Sequence, residues 1–364
     1  MLQRSTAMLA LGSIIMLVVG CSAAAPAPTE TIVASDPTVP LSDLNFLEDP
    51  RDWVGESTAI LSDDVLPVPA EAPRQTLPAT VVSHDLAGDT TVTVSSTKRI
   101  LAMDISGSIA ATIYGLGLGD NVVGRDISTT FAQAADLPVI TSSGHTVNNE
   151  AILALRPTVV ITDGSIGPID VVLQLRDAGI PVVFVDTEPS VAGVGELARQ
   201  VAAALGAPDA GEQLAKELVS GIDAKVAEIA SLTASETPLR MMFLYLRGNS
   251  GVYYLFGTES GADVLIESVG GIDVAAEIGL DGMRPMTDEA MVAANPDLIL
   301  VMTDGLASVG GVDGLLESKP AIALTLAGQN RRFVEMADGE ILSFGPRTAS
   351  VLDALARAIY APGQ

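Results

Sequence analysis

The chain has 364 residues, enough for two compact lobes with additional tails. Its net charge of −26 repels the phosphates of nucleic acids, so nucleic-acid binding is excluded. The single cysteine rules out an intramolecular disulfide. These properties predict an acidic protein of two compact units that no disulfide holds together.

The N-terminus has the pattern of an export signal. Arg4 precedes an apolar run over residues 7–19, shorter than the ~20 residues that a transmembrane helix needs. Residues 18–21 read Val-Val-Gly-Cys and resemble a bacterial lipobox, whose cysteine becomes the lipidated first residue of the mature protein. We predict a lipoprotein signal peptide over residues 1–20 and lipidation of Cys21. This places the protein at the extracellular face of the cell membrane, held by the lipid anchor only; the alternative is an incidental cysteine in a signal peptide.

The next segment has no sustained helical or strand period. Residues 21–78 are rich in Ala, Pro, Thr, Ser and Asp, which predicts a mostly disordered tether with short ordered pieces around residues 46–53. Two β-branched stretches then flank Gly88 and predict a β-hairpin over residues 79–96.

Short apolar strands alternate with helices from about residue 97 onward, a pattern typical of parallel sheets buried on both faces. We predict an N-terminal lobe with the leading hairpin over residues 79–187. Ala, Leu, Glu and Lys at helical spacing predict an interlobe helix over residues 188–236, with a break at Pro208. A C-terminal lobe over residues 237–364 follows.

An internal repeat supports this division. Residues 150–157 read Glu-Ala-Ile-Leu-Ala-Leu-Arg-Pro, and residues 289–296 read Glu-Ala-Met-Val-Ala-Ala-Asn-Pro. Each copy predicts a helix that begins at a polar cap, ends before a proline and leads into a buried strand. Two widely separated copies indicate a duplicated lobe rather than a solenoid.

The sequence lacks the common enzyme signatures. It has no Gly-x-Ser-x-Gly, no His-Glu-x-x-His and no phosphate loop. Residues 115–119 are rich in glycine, but Asp120 stands where a dinucleotide fingerprint needs its third glycine. Two histidines and one cysteine argue against a catalytic zinc site. We therefore expect a binding protein and not an enzyme.

The duplicated motif and the two-lobed pattern resemble the solute-binding lipoproteins of ABC importers for vitamin B12, siderophores and haem, from about residue 97 to the C-terminus. Within that group, Gly144-His145, residues 245–248 (Tyr-Leu-Arg-Gly) and residues 251–257 (Gly-Val-Tyr-Tyr-Leu-Phe-Gly) are similar to the actinobacterial haem-binding members. The resemblance implies an α/β fold of two Rossmann-like lobes joined by a long helical backbone, the class III substrate-binding fold. It also implies haem b as the transported ligand, delivered to an ABC permease and its ATPase.

Two residues are candidate axial ligands of the haem iron. His145 lies in a polar loop at the edge of the first lobe, and the resemblance implies that its neutral imidazole binds iron. Tyr245 lies near the end of a predicted strand of the second lobe, and ferric iron favours a phenolate oxygen. Arg247 shares a strand face with Tyr245, where its charge would stabilise the phenolate. The alternatives are a surface histidine, a rim or core tyrosine, and a solvated or propionate-pairing arginine.

Four further residues are candidates for ligand support. Tyr253 and Tyr254 could supply a stacking wall or a hydrogen bond, although alternation along a strand should place one of them in the core. Arg284 and Arg347 could pair with haem propionates.

Glu150 and Glu289 begin the two copies of the repeated helix. In related importers the matching glutamate of each lobe docks into arginines of the permease. The alternative is a favourable interaction with the helix macrodipole, worth about 0.3–1 kcal/mol each.

Three rival functions stay open. A ferric siderophore or cobalamin would suit the same fold. A haem-degrading or redox enzyme would need an open iron position, which His145 and Tyr245 together would occupy. The tether would suit a wall-associated adhesin, but the duplicated glutamate helices would not.

Upstream haem-donating surface proteins are further expected partners of a haem importer.

Overall fold

The computed structural model describes residues 32–33, 38–62, 65–142, 144–233 and 237–364, excluding the side chains of residues 32, 33 and 249. The predicted signal peptide over residues 1–20 and the predicted lipidation site Cys21 lie outside the described residues. No helix in the described part of the chain is long and apolar enough to cross a membrane.

The strands, in chain order, are β1 (Ile32–Val33), β2 (Ser57–Ala59), β3 (Ala79–Ser83), β4 (Thr90–Val94), β5 (Ile100–Met103), β6 (Val122–Gly124), β7 (Thr141–Ser142), β8 (Thr146–Val147), β9 (Val159–Thr162), β10 (Val182–Phe184), β11 (Arg240–Arg247), β12 (Val252–Phe256), β13 (Ile272–Asp273), β14 (Met283–Pro285), β15 (Leu298–Met302) and β16 (Phe333–Met336). The α-helices are α1 (Ser108–Gly115), α2 (Asn149–Leu155), α3 (Ile169–Asp177), α4 (Val191–Ala204), α5 (Pro208–Leu232), α6 (Ala262–Ser268), α7 (Val274–Glu277), α8 (Asp288–Ala294), α9 (Thr303–Ala307), α10 (Gly311–Ser318), α11 (Pro320–Ala323), α12 (Leu326–Gln329) and α13 (Thr348–Tyr360).

The first lobe is built on a parallel sheet with the strand order β10-β9-β5-β6. Ile109 of α1 and Leu197 of α4 pack on one face, and Ile152 of α2 and Val172 of α3 pack on the other. Burial on both faces accounts for the continuous apolar runs in these strands. The predicted hairpin is confirmed as the antiparallel pair of β3 and β4.

The second lobe has a mixed sheet with the order β1-β2-β16-β15-β11-β12-β14, and β13 lies beside the start of β11. Side chains of β11 alternate between two cores: Met241 and Phe243 belong to one, and Met242 and Leu244 belong to the other. Each lobe is therefore a sheet with a buried core on both faces. The predicted α/β fold of two Rossmann-like lobes joined by a helical backbone is confirmed.

Helices α4 and α5 join the lobes, and the break predicted at Pro208 is confirmed, because Pro208 is the first residue of α5. Leu214 of α5 is buried in a core of the first lobe, whereas Ile222 and Ile229 are buried in a core of the second. Leu218 lies between them and packs against both cores. This helix is therefore part of both lobes and not a free linker.

The segment that precedes the hairpin differs from its prediction. Leu41, Ala59 and Leu61 are buried in a core of the second lobe, and β2 pairs in parallel with β16. The backbone N–H of Leu47 donates to the carbonyl of Tyr360 at 2.8 Å, which holds the segment against the last helix. The segment therefore adds a strand and apolar side chains to the second lobe.

The same segment continues onto the first lobe. Leu66 is buried there, and its backbone N–H and carbonyl both bond the Gln133 side-chain amide. The prediction of a mostly disordered tether over residues 21–78 is thus wrong for the described residues 38–62 and 65–78. The buried apolar residues of this segment are irregularly spaced, so the sequence shows neither a helical nor a strand period. The chain passes between the lobes here as well as along α5.

Candidate functional site

The two lobes face each other across the carboxyl ends of their parallel strands, where open α/β sheets bind ligands. The hydroxyl oxygens of Ser108, at the start of α1, and Ser343, after β16, lie 3.3 Å apart. Arg347 of the second lobe donates from Nη1 to Thr130 Oγ1 of the first lobe at 3.3 Å. These direct contacts join the lobes beside the region between their strand ends, here called the interlobe cleft.

His145 lies in the turn of the small antiparallel hairpin of β7 and β8. Its φ of 58° lies in the left-handed region, and the preceding Gly144 also has a left-handed φ. The imidazole is half-buried, and its Nδ1 lies 3.4 Å from Ser128 Oγ. With Nδ1 next to this hydroxyl, Nε2 is the ring nitrogen available to a ligand.

Charges from the opposite lobe reach this imidazole. Burial lowers the pKa of His145 below its ordinary value, and the positive Arg247 lowers this pKa further, whereas the Asp338 carboxylate raises it. Arg247 and Asp338 belong to the second lobe, and Gly339, next to Asp338, packs against the Ser128 loop beside His145, so the predicted iron ligand of the first lobe lies near charged residues of the second. A lowered pKa keeps the imidazole neutral, the form that binds metals.

We expect the His145 imidazole to titrate below about 6.5, the ordinary value for histidine. Proton NMR of a His84→Gln variant, which leaves one histidine, would measure this directly. Asp338→Asn should lower the midpoint further and Arg247→Met should raise it, because each change removes a charge that acts on the imidazole. Identical midpoints in the three proteins would contradict the placement of these charges.

Tyr245 and Arg247 occupy the end of β11 and share one face, as predicted. The Arg247 Cζ lies 4.6 Å from the centre of the Tyr245 ring, and the ring also stacks on Phe256 at 5.6 Å. Arg247 Nη2 donates to Asp338 Oδ2 at 2.5 Å, and Nη1 donates to the Leu246 carbonyl at 2.9 Å. The guanidinium is thus held over the phenol ring by a carboxylate and a carbonyl.

The two neighbouring tyrosines separate, as strand alternation predicts. Tyr254 pairs directly with Tyr245 across β11 and β12, so both lie on the same face. Tyr253 lies on the other face with Lys319 Nζ 3.8 Å from its ring centre. Both side chains are half-buried, and only Tyr254 adjoins the candidate site.

The two predicted propionate partners do not join this group. Arg284 is exposed on β14 opposite Leu255, on the sheet face away from Tyr245. The Arg347 side chain is only 3% exposed and is bonded to Thr130 and to the Gly339 carbonyl. We therefore place Arg347 in the lobe interface and no longer expect either arginine to contact the ligand.

The repeated helices have matching geometry in the two lobes. Asn148 caps α2 and Thr287 caps α8, in each case through a side-chain oxygen that accepts a backbone N–H. Glu150 and Glu289 are exposed in the first turns of these helices. The structure therefore presents one equivalent exposed glutamate from each lobe.

Sequence reasoning missed three residues of this site. Ser128 adjoins His145, and Asp338 adjoins both Arg247 and the backbone N–H of Asp304. Asp126 is fully buried and accepts bonds from Ser128 N at 2.9 Å and Thr129 N at 2.8 Å, so it shapes the loop that carries Ser128. The available signal was positional: Asp126 and Asp338 each follow a strand at its carboxyl end.

Residues 105–338 match the family model described as periplasmic binding protein, and they make up well over half of the chain. The chain belongs to the periplasmic binding protein family. This binding protein is 27% identical over 284 residues to the uncharacterized ABC transporter substrate-binding lipoprotein YvrC of Bacillus subtilis, with 77% of this chain and 85% of YvrC covered.

Among solved structures, this binding protein is similar to the heme binding protein HmuT, with 43% identity, a TM-score of 0.79, and 86% of this chain and 99% of HmuT covered. It is also similar to the periplasmic heme-binding protein RhuT of Roseiflexus sp. RS-1, with 38% identity, a TM-score of 0.64, and 74% and 100% covered. Further HmuT structures carry alanine at one histidine, one tyrosine or one arginine, and that tyrosine and arginine are two positions apart.

Proposed function

We propose that the protein binds haem between its lobes at the outer face of the cell membrane and delivers it to an ABC permease and its ATPase. The iron would be bound by His145 from the first lobe and Tyr245 from the second. The observation that carries this proposal is that the Ser128 loop beside His145 packs against the Asp338–Gly339 segment, whose carboxylate accepts from the guanidinium over the Tyr245 ring. The protein would transport haem without transforming it.

The chemistry of the two half-sites suits ferric haem. A neutral imidazole and a phenolate are both axial ligands of haem iron. The Arg247 guanidinium, 4.6 Å from the Tyr245 ring centre, supplies the positive charge that a phenolate needs. Asp338 balances that charge when no ligand is bound. The site can therefore bind a metal centre that approaches with two open axial positions.

Exposed apolar side chains on both lobes favour a porphyrin over a polar siderophore. Ile127 precedes Ser128 and is 36% exposed, and Ile105, at the carboxyl end of β5, is 52% exposed. In the second lobe, Met283 lies on the same sheet face as Tyr245 and is 61% exposed. A flat apolar macrocycle would cover such side chains, and their burial would stabilise the complex.

Binding to each candidate ligand class separates the alternatives. Hemin, a ferric hydroxamate siderophore and cyanocobalamin would each be titrated into protein produced without residues 1–21, by absorbance and by thermal shift. Saturation by hemin alone, with a new Soret band, is the expected result. Saturable binding of the siderophore or cobalamin without hemin binding would mean that this fold transports that ligand and not haem.

The membrane attachment and the docking of the permease complete the proposed pathway. Lipidation of Cys21 would keep the protein near its permease, and upstream haem-donating surface proteins would supply its ligand. Glu150 and Glu289 would each contact basic residues of one half of a two-fold-symmetric permease, because the two lobes present equivalent glutamates.

We expect the Glu150→Ala/Glu289→Ala double variant to bind hemin normally but to support much slower hemin-dependent growth, because both acidic contacts with the permease are lost. The control is Glu196→Ala/Glu317→Ala, which removes the same charge from one exposed position in each lobe. Equal growth of the two double variants would contradict the docking role. Weaker hemin binding by the first variant would place the glutamates in the ligand site instead.

A further inference from the structure

Arg347 is among the most buried charged residues that the structure describes, with 3% of its surface exposed, and it reaches both lobes. Its Nη1 donates to Thr130 Oγ1 of the first lobe at 3.3 Å, and its Nη2 donates to the Gly339 carbonyl of the second lobe at 2.6 Å. Glu340 lies 4.0 Å from Nη1 and balances its charge. The two ends of one guanidinium therefore bond to different lobes.

On the second-lobe side, this contact continues to the predicted tyrosine ligand. Gly339 directly follows Asp338, whose carboxylate accepts from Arg247 Nη2 at 2.5 Å. Arg247 in turn lies over the Tyr245 ring. The carbonyl that Arg347 binds thus belongs to the segment that positions Arg247 and Tyr245.

On the first-lobe side, the contact continues to the predicted histidine ligand. Thr130 belongs to the loop that follows Asp126, whose buried carboxylate accepts the N–H groups of Ser128 and Thr129. The Ser128 hydroxyl lies 3.4 Å from His145 Nδ1. Displacement of Thr130 would therefore move the hydroxyl that orients the imidazole.

The two segments also touch through their backbones. A Cβ atom at Gly339 would lie 3.0 Å from the carbonyl oxygen of Ser128 and 3.2 Å from Thr130 Cγ2. The absence of a side chain at Gly339 allows this approach, which places the Asp338 segment directly against the loop beside His145.

We propose that Arg347 is a positioning residue that ties the two half-sites together and sets the separation between the His145 and Tyr245 ligands. The planar guanidinium fork can donate in two fixed directions at once, whereas a lysine ammonium on a flexible stem cannot hold both acceptors in one geometry. This inference rests on the proposed function for its ligand, but the tie between the lobes exists without ligand.

The test compares Arg347→Lys with Arg332→Lys. Arg332 is a matched control because it is an equally buried arginine of the same lobe, and it bonds the Ile359 carbonyl and Ser57 far from the cleft. Arg347→Lys should accelerate hemin dissociation at least about tenfold, the usual minimum for loss of a residue that orients a metal ligand. Arg332→Lys should leave the dissociation rate unchanged.

A second pair of variants keeps the test decisive if Arg347→Lys fails to fold. Gly339→Ala should push the Ser128 loop away and also accelerate hemin dissociation, whereas Gly221→Ala on α5 meets no atom within 4 Å and should not. Thr130→Val removes the first-lobe acceptor, so its effect combined with that of Arg347→Lys should be less than additive.

Amide hydrogen exchange of the ligand-free proteins separates this inference from the proposed function. Arg347→Lys should increase exchange in residues 126–131 of the first lobe and in residues 337–347 of the second. Increased exchange confined to residues 337–347 would contradict the proposal that Arg347 links the two lobes. A hemin dissociation rate of Arg347→Lys equal to that of Arg332→Lys would contradict it as well. If the wild-type protein fails to bind hemin, the proposed function fails, and the exchange pattern alone decides whether Arg347 ties the lobes.

Discussion

Tyr245→Phe is expected to weaken hemin binding at least about 100-fold, which corresponds to about 2.8 kcal/mol. Loss of a group that only orients a metal ligand commonly costs 10–100-fold, and here the ligand oxygen itself is removed. The phenylalanine ring retains the packing against Phe256 and Arg247. The loss of hemin affinity would therefore report the lost iron–oxygen contact and not the effect of a cavity. Competition between the protein and a haem acceptor of known affinity would measure it.

Tyr253→Phe is the control for this measurement, because it removes the same hydroxyl from the neighbouring strand but from the opposite sheet face. Its hemin affinity should match that of the wild type. If Tyr253→Phe is as weak as Tyr245→Phe, the hydroxyls act through the stability of the lobe. If both bind normally, a residue other than Tyr245 binds the iron from the second lobe.

Leu41→Asp is expected to lower the free energy of unfolding by about 3–5 kcal/mol, since it removes a buried apolar side chain and places a charge in its site. Leu41 is 1% exposed in a core of the second lobe, although it lies within the stretch that its composition marks as a tether. Urea denaturation followed by circular dichroism would measure the change.

Ser42→Asp adds the same charge at the adjacent, exposed position and should change the stability by less than about 0.5 kcal/mol. Equal stabilities for Leu41→Asp and Ser42→Asp would mean that residues 38–62 do not pack on the second lobe in solution. A large difference would establish this segment as part of the folded unit.

Periodic features of the sequence predicted much of the fold. The repeated helix was recognisable because caps, prolines and following strands recur in both copies, and α2 and α8 share these features in the structure. Tyr245 and Arg247 could be placed on one face because strand alternation is regular. The same rule separated Tyr253 from Tyr254.

Features that depend on contacts between distant segments could not be predicted from the periodicity of the sequence. Leu41 and Leu61 anchor an irregular segment whose order comes from a surface that other strands and helices supply. Arg347 and Asp338 are single polar residues after strand ends, and their roles depend on partners in other segments or in the other lobe. A propionate-binding role for Arg347 followed from its charge, whereas its burial and its two acceptors are visible only in three dimensions.

The central claim is that one ligand from each lobe binds a single haem iron. The most direct test is an absorbance titration with hemin of the wild-type protein, His145→Ala, Tyr245→Phe and the double variant, each produced without residues 1–21. We predict saturation of the wild type at one equivalent, a shifted Soret band with weaker binding in each single variant, and no saturable binding in the double variant. Wild-type saturation at two equivalents, or a single variant with an unchanged spectrum and affinity, would contradict clamping of one haem by His145 and Tyr245.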